Sequence, residues 1–409
     1  MLFQNFNCDW CIGPVVSELS INEITLDTTP GMTLSNCQLQ CGTLTATNLL
    51  TNSRFDFTQS IVNFNYLVAA TPINWSINLN NSWFNSRFSG PVAITNPFTP
   101  TDVIIGLVPL NTSFLNLNNN SYAQIDNGYN GTNIAFVASF GVNNNSFIRV
   151  YLSSLQLNNC TFDSFDQQLI SAGSPFIEIS ANNITVTNHL NTLNTNLMDI
   201  NQGTITLSNI NISANQLSNL NFNNSNVIIN TLSSNNSAIN YNNCPMVDIN
   251  TININNITPA GIIVNNSTLV ANNGNLINTN VFCSQCPIIN INNFNIDVSN
   301  IFNTGLELSM TRFSINSCVI FNATADGILV VQESSGKLSN VSGSNGQFGV
   351  NLLSGSSFRN DSSNSITGFV NDVNVGALGR RSWAAINAGL ATDTNDYTQS
   401  NPQYVYISP

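Results

Sequence analysis

"MDINQGTITLSNINISANQLSNLNFNNSNVIIN" runs from Met198 to Asn230. Asparagine interrupts almost every apolar pair in it, yet Ile, Leu, Val and Phe keep returning. Asparagine is depleted from strands and those apolar residues are enriched there. The stretch therefore needs an architecture that houses the two kinds of residue separately. Helix-period stripes are nearly absent from it. Short runs alternating in period two, bounded by Asn, Ser or Gly, take their place.

Working outward, the triplet Met198-Asp199-Ile200 has counterparts at Ile177-Glu178-Ile179 and Leu220-Asn221-Phe222, at steps of 21 and 22 residues. The same pattern returns at Leu306-Glu307-Leu308, Ile328-Leu329-Val330 and Val350-Asn351-Leu352, each 22 apart. A second register, Ile205-Thr206-Leu207 and Val227-Ile228-Ile229, repeats the step of 22. Ile252-Asn253-Ile254 lies 25 further on, so insertions bulge out in that interval. A constant step of this size marks a solenoid with one coil per repeat. Three short strands and three turns use up about 21 residues, which fits a parallel coil.

Asparagine then has a defined place. It tolerates the left-handed backbone region, so it suits the sharp corners between strands. Coils stack about 4.8 Å apart, close enough for corner amides to hydrogen-bond into ladders. The apolar residues point inward. The expected fold class is all-β: a parallel β-helix solenoid with a small C-terminal capping or oligomerisation module.

Composition agrees with a folded, neutral-surfaced chain. Of 409 residues, 42% are hydrophobic and only 7% charged, against about 25% charged in ordinary soluble domains. Disorder needs low hydrophobicity and high charge, and neither holds. The 77 asparagines stand in for charge. One lysine, Lys337, and seven arginines face 20 acidic residues, for a net charge of −12. Without a basic stripe, binding to nucleic acid or to an anionic membrane surface is not expected. No stretch approaches the roughly 20 apolar residues of a spanning helix, so no membrane insertion is expected. The start, "MLFQNFNCDWCIG", lacks a positive n-region and a long apolar h-region and does not read as a signal peptide.

On the repeat and the short Asn-bounded strands, the chain resembles right-handed parallel β-helix proteins, a group that includes pectate lyases, phage tailspikes and other viral fibre or surface proteins. The resemblance covers residues 150–365 clearly and 50–150 more loosely, and rests on architecture rather than a diagnostic motif. It implies a homotrimer capped at its C-terminus.

The expected organisation has four parts. Residues 1–60 form an N-terminal cap or attachment region. Residues 61–150 are β-rich and carry a protruding loop around Pro91, Pro97, Pro100 and Pro109, since proline at that density fits paired internal strands poorly. Residues 151–365 are the parallel β-helix, and 366–409 a C-terminal cap or trimerisation element. There Ser382 reads as the N-cap of a helix starting at Trp383, and Tyr404-Val405-Tyr406-Ile407 as a last strand.

Candidate chemistry is sparse. Glu178 and Asp199 sit at the outward position of one triplet pattern, which puts two carboxylates one coil apart. Retaining glycosidases need such a pair about 5 Å apart, and mutual repulsion raises one pKa as an acid catalyst requires; the plain alternative is two solvated outward residues. Asp163 and Asp166 are a second, weaker pair. Cys8-x2-Cys11 and Cys37-x3-Cys41 could supply four thiolates to zinc, but disulfides or reduced core thiols explain them as well. Cys283-x2-Cys286 has no second pair beside it, and Cys160, Cys244 and Cys318 read as small buried hydrophobes. His189, the one histidine, follows "ITVTN" at a probable turn and reads as a surface residue. The Asn-x-Ser/Thr sequons, such as those at Asn74, Asn111, Asn183 and Asn322, are no more frequent than chance predicts, and many belong to turns. No cofactor fingerprint is present.

The resulting expectation is a non-enzymatic structural or attachment protein at a virion surface or outside the cell: a fibre, spike or capsid-associated component. Its expected partners are its own copies, other virion or capsid proteins and host glycans, with no cofactor. A tailspike-like polysaccharide depolymerase using Glu178 and Asp199 is one alternative, and a cellular adhesin another.

Overall fold

The computed structural model describes residues 2–3, 6–8, 17–27, 31–47, 53–69, 75–88, 115–126, 134–137, 148–163, 168–189, 196–299, 301–353, 355–360, 366–367, 371–375, 380–383, 397–399 and 405–407. The chain divides into two compact units, Met1–Asn219 and Leu220–Pro409. Among the described residues every regular element is a strand. The inter-strand pairings are parallel in both units. Each unit is a parallel β-solenoid.

In unit 2 each coil contributes three strands to three separate columns. Leu269, Ile289, Phe313 and Gly336 stack in one, Leu276, Ile296, Ile320 and Gly343 in a second, and Val281, Leu306, Ile328 and Val350 in the third. The step of 22 from Leu306 to Ile328 to Val350 is therefore a true coil length. Unit 1 has the same construction. One of its columns runs Phe6, Met32, Phe55, Ile77, Leu115, Ile148, Ile170, Met198. The ladders thus start near the N-terminus, so solenoid architecture is not confined to residues 151–365. The proline-rich segment falls almost wholly outside the described residues.

The expected column Ile177, Met198, Leu220 does not form. Ile170 pairs with Met198, whereas Ile177 pairs with Gly203. Two strands of one coil, around 170–172 and 177–179, both alternate in period two, and the triplet pattern selects the wrong one. The coils here are also longer than 22 residues, as the pairing of Ile170 with Met198 shows.

Inside, alternate residues of each strand are buried, as period-two geometry requires. Fully burying one such side chain contributes about 1.5–3 kcal/mol. Unit 1 starts with a phenylalanine core: Phe57 stacks on Phe84 at 6.2 Å, and Phe64 meets Phe84 edge-on at 5.8 Å. In unit 2 Phe222 stacks on Tyr241 at 5.5 Å.

The corners carry the asparagines. Of the 25 non-glycine residues described with positive φ, 16 are asparagine. Neighbouring corners are linked by amide ladders. Asn183 Nδ2 donates to Asn159 Oδ1 at 2.9 Å and Asn209 Nδ2 to Asn183 Oδ1 at 3.0 Å in unit 1. In unit 2, Asn266 Nδ2 donates to Asn243 Oδ1 at 2.8 Å, and Asn345 Nδ2 to Asn322 Oδ1 at 2.8 Å.

One residue past a set of these corners lies a second ladder, of buried hydroxyls. In unit 1 the backbone N–H groups of Cys37, Ser60, Ser82 and Ser121 donate to the Oγ atoms of Ser60, Ser82, Ser121 and Ser153 in turn, at 3.1–3.3 Å. Those hydroxyls donate onward to carbonyls, for example Ser60 Oγ to Thr58 O at 2.8 Å. The column is buried, so each hydroxyl satisfies an amide that would otherwise be orphaned. Unit 2 builds the same device from a mixed set. The N–H of Cys244 donates to Ser267 Oγ, that of Cys286 to Thr311 Oγ1, that of Thr311 to Ser334 Oγ, and that of Ser334 to Ser356 Oγ.

The C-terminal reading needs correction where it is described. Ser382 and Trp383 lie in the strand Arg380–Trp383, not at a helix start. That strand pairs with Ser357–Asn360 and with Val405–Ile407. The last strand over Val405–Ile407 is as expected. The described strands here continue the parallel ladders of unit 2.

Candidate functional site

Glu178 and Asp199 are not brought into one column. Glu178 pairs in register with Ser154 and Thr204, and Asp199 with Ser171. Glu178 is exposed. Asp199 is half-buried, and that burial pushes its carboxyl above the usual range, opposed by a hydrogen bond with Asn196. The side chain of Asp163 and all of Asp166 lie outside the described residues, as does the His189 side chain.

Each described cysteine of these pairs has a place in the coil. Cys41 lies in an inner column between Ile21 and Phe64, and burial pushes its thiol up. Cys37 sits on the same strand but in the hydroxyl ladder, its Sγ donating to Ser35 O at 3.1 Å. Cys283 and Cys286 repeat this division. Cys283 stacks between Val264 and Leu308, while Cys286 Sγ donates to Val264 O and Ser284 O, both at 3.2 Å. Cys160, Cys244 and Cys318 are buried, as expected. The side chains of Cys8 and Cys11 lie outside the described residues. Among the described residues no three His, Cys, Asp or Glu side chains gather as a metal site.

The signal that sequence reading missed is the dipeptide at the corner: a left-handed residue followed by a buried Ser or Cys. Asn81-Ser82, Asn120-Ser121, Asn159-Cys160, Asn224-Ser225, Asn243-Cys244 and Asn266-Ser267 all follow it. Several sequons are simply this corner unit.

The outer face of unit 1 offers a different kind of site. Ile61, Trp83, Tyr122, Ser154, Glu178 and Thr204 form one outward column. Asn63, Asn85, Gln124, Gln156, Ser180 and Thr206 form the column beside it. Trp83 is 59% exposed, and Ile61 40%. The Trp83 and Tyr122 rings lie side by side with centroids 5.2 Å apart, about one coil spacing. Tyr122 Oη donates to Gln156 Oε1 at 2.8 Å, which holds the ring against the face. Partial burial and then the nearby Glu178 carboxylate push the Tyr122 hydroxyl above its usual range. The result is an exposed Trp83 ring beside a half-buried Tyr122, flanked by Asn85, Gln124 and Gln156: apolar ring surface beside neutral donors and acceptors.

Unit 2 contains a pair of carboxyls that pattern reading did not select. Asp326 is buried, and burial raises its carboxyl to about 6 despite the hydrogen bond from Asn351 Nδ2 at 3.1 Å; the charge of Glu307 adds to the rise. Glu307 is half-buried between Phe282 and Leu329 in its outward column, and its own carboxyl is raised by that burial. Glu307 stands at a triplet centre; Asp326 starts a strand and carries no pattern.

No family model, no curated protein and no solved structure matches this chain. Among the described residues no helix is long and apolar enough to cross a membrane.

Proposed function

We propose that the chain is a structural and attachment protein, a self-laddered solenoid that holds neutral glycans on the outer face of unit 1. The observation that carries this reading is the exposed Trp83 ring, paired with the half-buried Tyr122 and set beside a column of amides. Aromatic faces stack on the C–H face of a sugar ring, and neighbouring amides satisfy its hydroxyls; such amphipathic rings are favoured wherever one side of a contact is apolar and the other wet. The ladders supply stiffness, because each coil satisfies the backbone of the next. A virion fibre, spike or capsid-associated position, with assembly into homotrimers and contact with capsid proteins, is the setting that suits such a chain.

The test is binding of the full chain to a panel of immobilised neutral oligosaccharides. Wild type is expected to bind at least one, and Trp83→Ala to lose tenfold or more while remaining folded. Equal binding by wild type and Trp83→Ala, or none to any neutral sugar, overturns the reading. Recovery of the chain from purified particles tests the virion setting separately.

A second reading, polysaccharide cleavage, is favoured by one observation: Asp326 beside Glu307, one carboxyl holding its proton to about pH 6. That is the division of labour a glycosidase needs. Reducing-end release from polysaccharides that vanishes in Asp326→Asn would establish it.

A further inference from the structure

In unit 2 an open groove of about 500 Å³ runs along one corner of the coils. It is lined by Asn266, Gln285, Met310 and Glu333, all of which have positive φ. Pro287, Arg312 and Ser335 also line it, with Arg312 and Ser335 paired in register on adjacent coils. Its lining includes Asn266 of the amide ladder and Cys286 and Thr311 of the hydroxyl ladder, whereas the side chains of Arg312, Gln285 and Glu333 belong to neither.

Its charges are unspent. Cations are scarce in this chain, 8 against 20 acidic residues, so an exposed arginine is expected to find a carboxylate easily. The Arg312 guanidinium nevertheless makes no ion pair or hydrogen bond among the described residues, and neither does the Glu333 carboxylate in the same lining. The side chain of Gln285 is likewise uncommitted, while Gln332 accepts from Ser309. The groove therefore presents a planar fork of N–H donors, one carboxylate acceptor and one free amide.

The ligand follows from that inventory. A guanidinium fork matches a carboxylate in two parallel hydrogen bonds. A bare carboxylate would leave Glu333 and Gln285 unused, and a neutral sugar would leave the Arg312 charge unpaired. A multiply charged anion would meet Glu333 and the net charge of −12. What fits is one carboxylate on a polyhydroxylated ring, whose hydroxyls donate to Glu333 and exchange hydrogen bonds with Gln285. We propose that this groove binds a single carboxylate-bearing sugar unit of the uronic acid class, with Arg312 taking the carboxylate. The site is independent of the Trp83–Tyr122 face.

The experiment titrates the full chain by calorimetry or saturation-transfer NMR with sodium glucuronate, glucose, sodium acetate and glucose 6-sulfate. Glucuronate is expected to bind at least tenfold more tightly than the other three. Arg312→Gln is expected to abolish that preference, Arg312→Lys to keep part of it, and Trp83→Ala to leave it unchanged. Circular dichroism confirms that each variant is folded. Equal binding of glucose or acetate, tighter binding of the sulfate ester, or a folded Arg312→Gln that still prefers glucuronate would each overturn the proposal.

Discussion

The same corner device is built in two ways. In unit 1 the ladder is all serine after one thiol at its start, with Cys37 followed by Ser60, Ser82, Ser121 and Ser153. In unit 2 the equivalent column mixes thiol and hydroxyl through Cys244, Ser267, Cys286, Thr311, Ser334 and Ser356. The outward columns differ as well. Unit 1 runs Asp56, Asn78, Asn116, Arg149, Ser171, Asp199, while unit 2 runs Asn240, Ile263, Phe282, Glu307, Leu329, Asn351. What the two share is the inner apolar stack and the left-handed corner. Those are therefore the parts that the fold demands, and the outward residues are left to specialise.

The largest effect should come from the shared interior. Leu308→Ala in unit 2 and Ile200→Ala in unit 1 each empty a buried inner column and should cost about 2–5 kcal/mol in denaturant unfolding. A cost below about 1 kcal/mol in either unit would break the claim that the interiors are equivalent.

Next in size is the hydroxyl ladder. Ser82→Ala removes the acceptor for the Ser60 amide and should cost about 1–3 kcal/mol, because the amide is left buried without a partner. Cys286→Ser keeps a donor to the same carbonyls and should change stability by less than about 1 kcal/mol. Reversed magnitudes would show that the thiol is not a serine equivalent.

A pH titration should separate the units by a similar or smaller amount. Asp326 holds its proton to about 6 in the folded chain, above the ordinary aspartate value of about 3.9. Both states are protonated at low pH, so no cost arises there. As pH rises, the unfolded chain ionises first, and the stability of unit 2 falls until the folded carboxyl has titrated as well. Unit 2 should therefore be about 1–3 kcal/mol less stable at pH 7 than at pH 4 on this account. Asp326→Asn should flatten most of the slope. Asp199, only half-buried, should give unit 1 a shallower slope of the same sign.

The smallest effect is a single corner. Asn183 has a φ of 53° and stands in the amide ladder between Asn159 and Asn209. Asn183→Ala loses both the ladder bonds and the tolerance for that φ, about 1–2 kcal/mol together. Asn183→Gly loses only the bonds and should cost less. A glycine variant as unstable as the alanine one would show that backbone strain plays no part.

The corners and the coil were legible from sequence because each rests on a local rule. Asparagine tolerates positive φ wherever it sits, and Leu306, Ile328 and Val350 repeat without insertion. Register in the 170–205 interval was not legible. A coil holds three strands of like alternation, so Ile177 and Ile170 look equally good as partners for Met198, and pattern alone cannot choose. That ambiguity carried Glu178 and Asp199 into a shared column that the pairing does not contain. The Trp83–Tyr122 pair was invisible for a related reason: 39 residues separate the rings in sequence, far more than one repeat. Asp326 was missed because its burial comes from the surrounding coils and leaves no mark in its own pattern.

Stacking register is the claim on which the two-unit comparison stands, and disulfide trapping measures it. Outward residues opposed on adjacent coils lie within the Cα separation that a disulfide accepts. Ser171→Cys with Asp199→Cys should crosslink under mild oxidation, seen as a loss of about two daltons and a linked peptide pair. Glu178→Cys with Asp199→Cys should stay reduced. Efficient linkage between positions 178 and 199, with none between positions 171 and 199, would contradict the account.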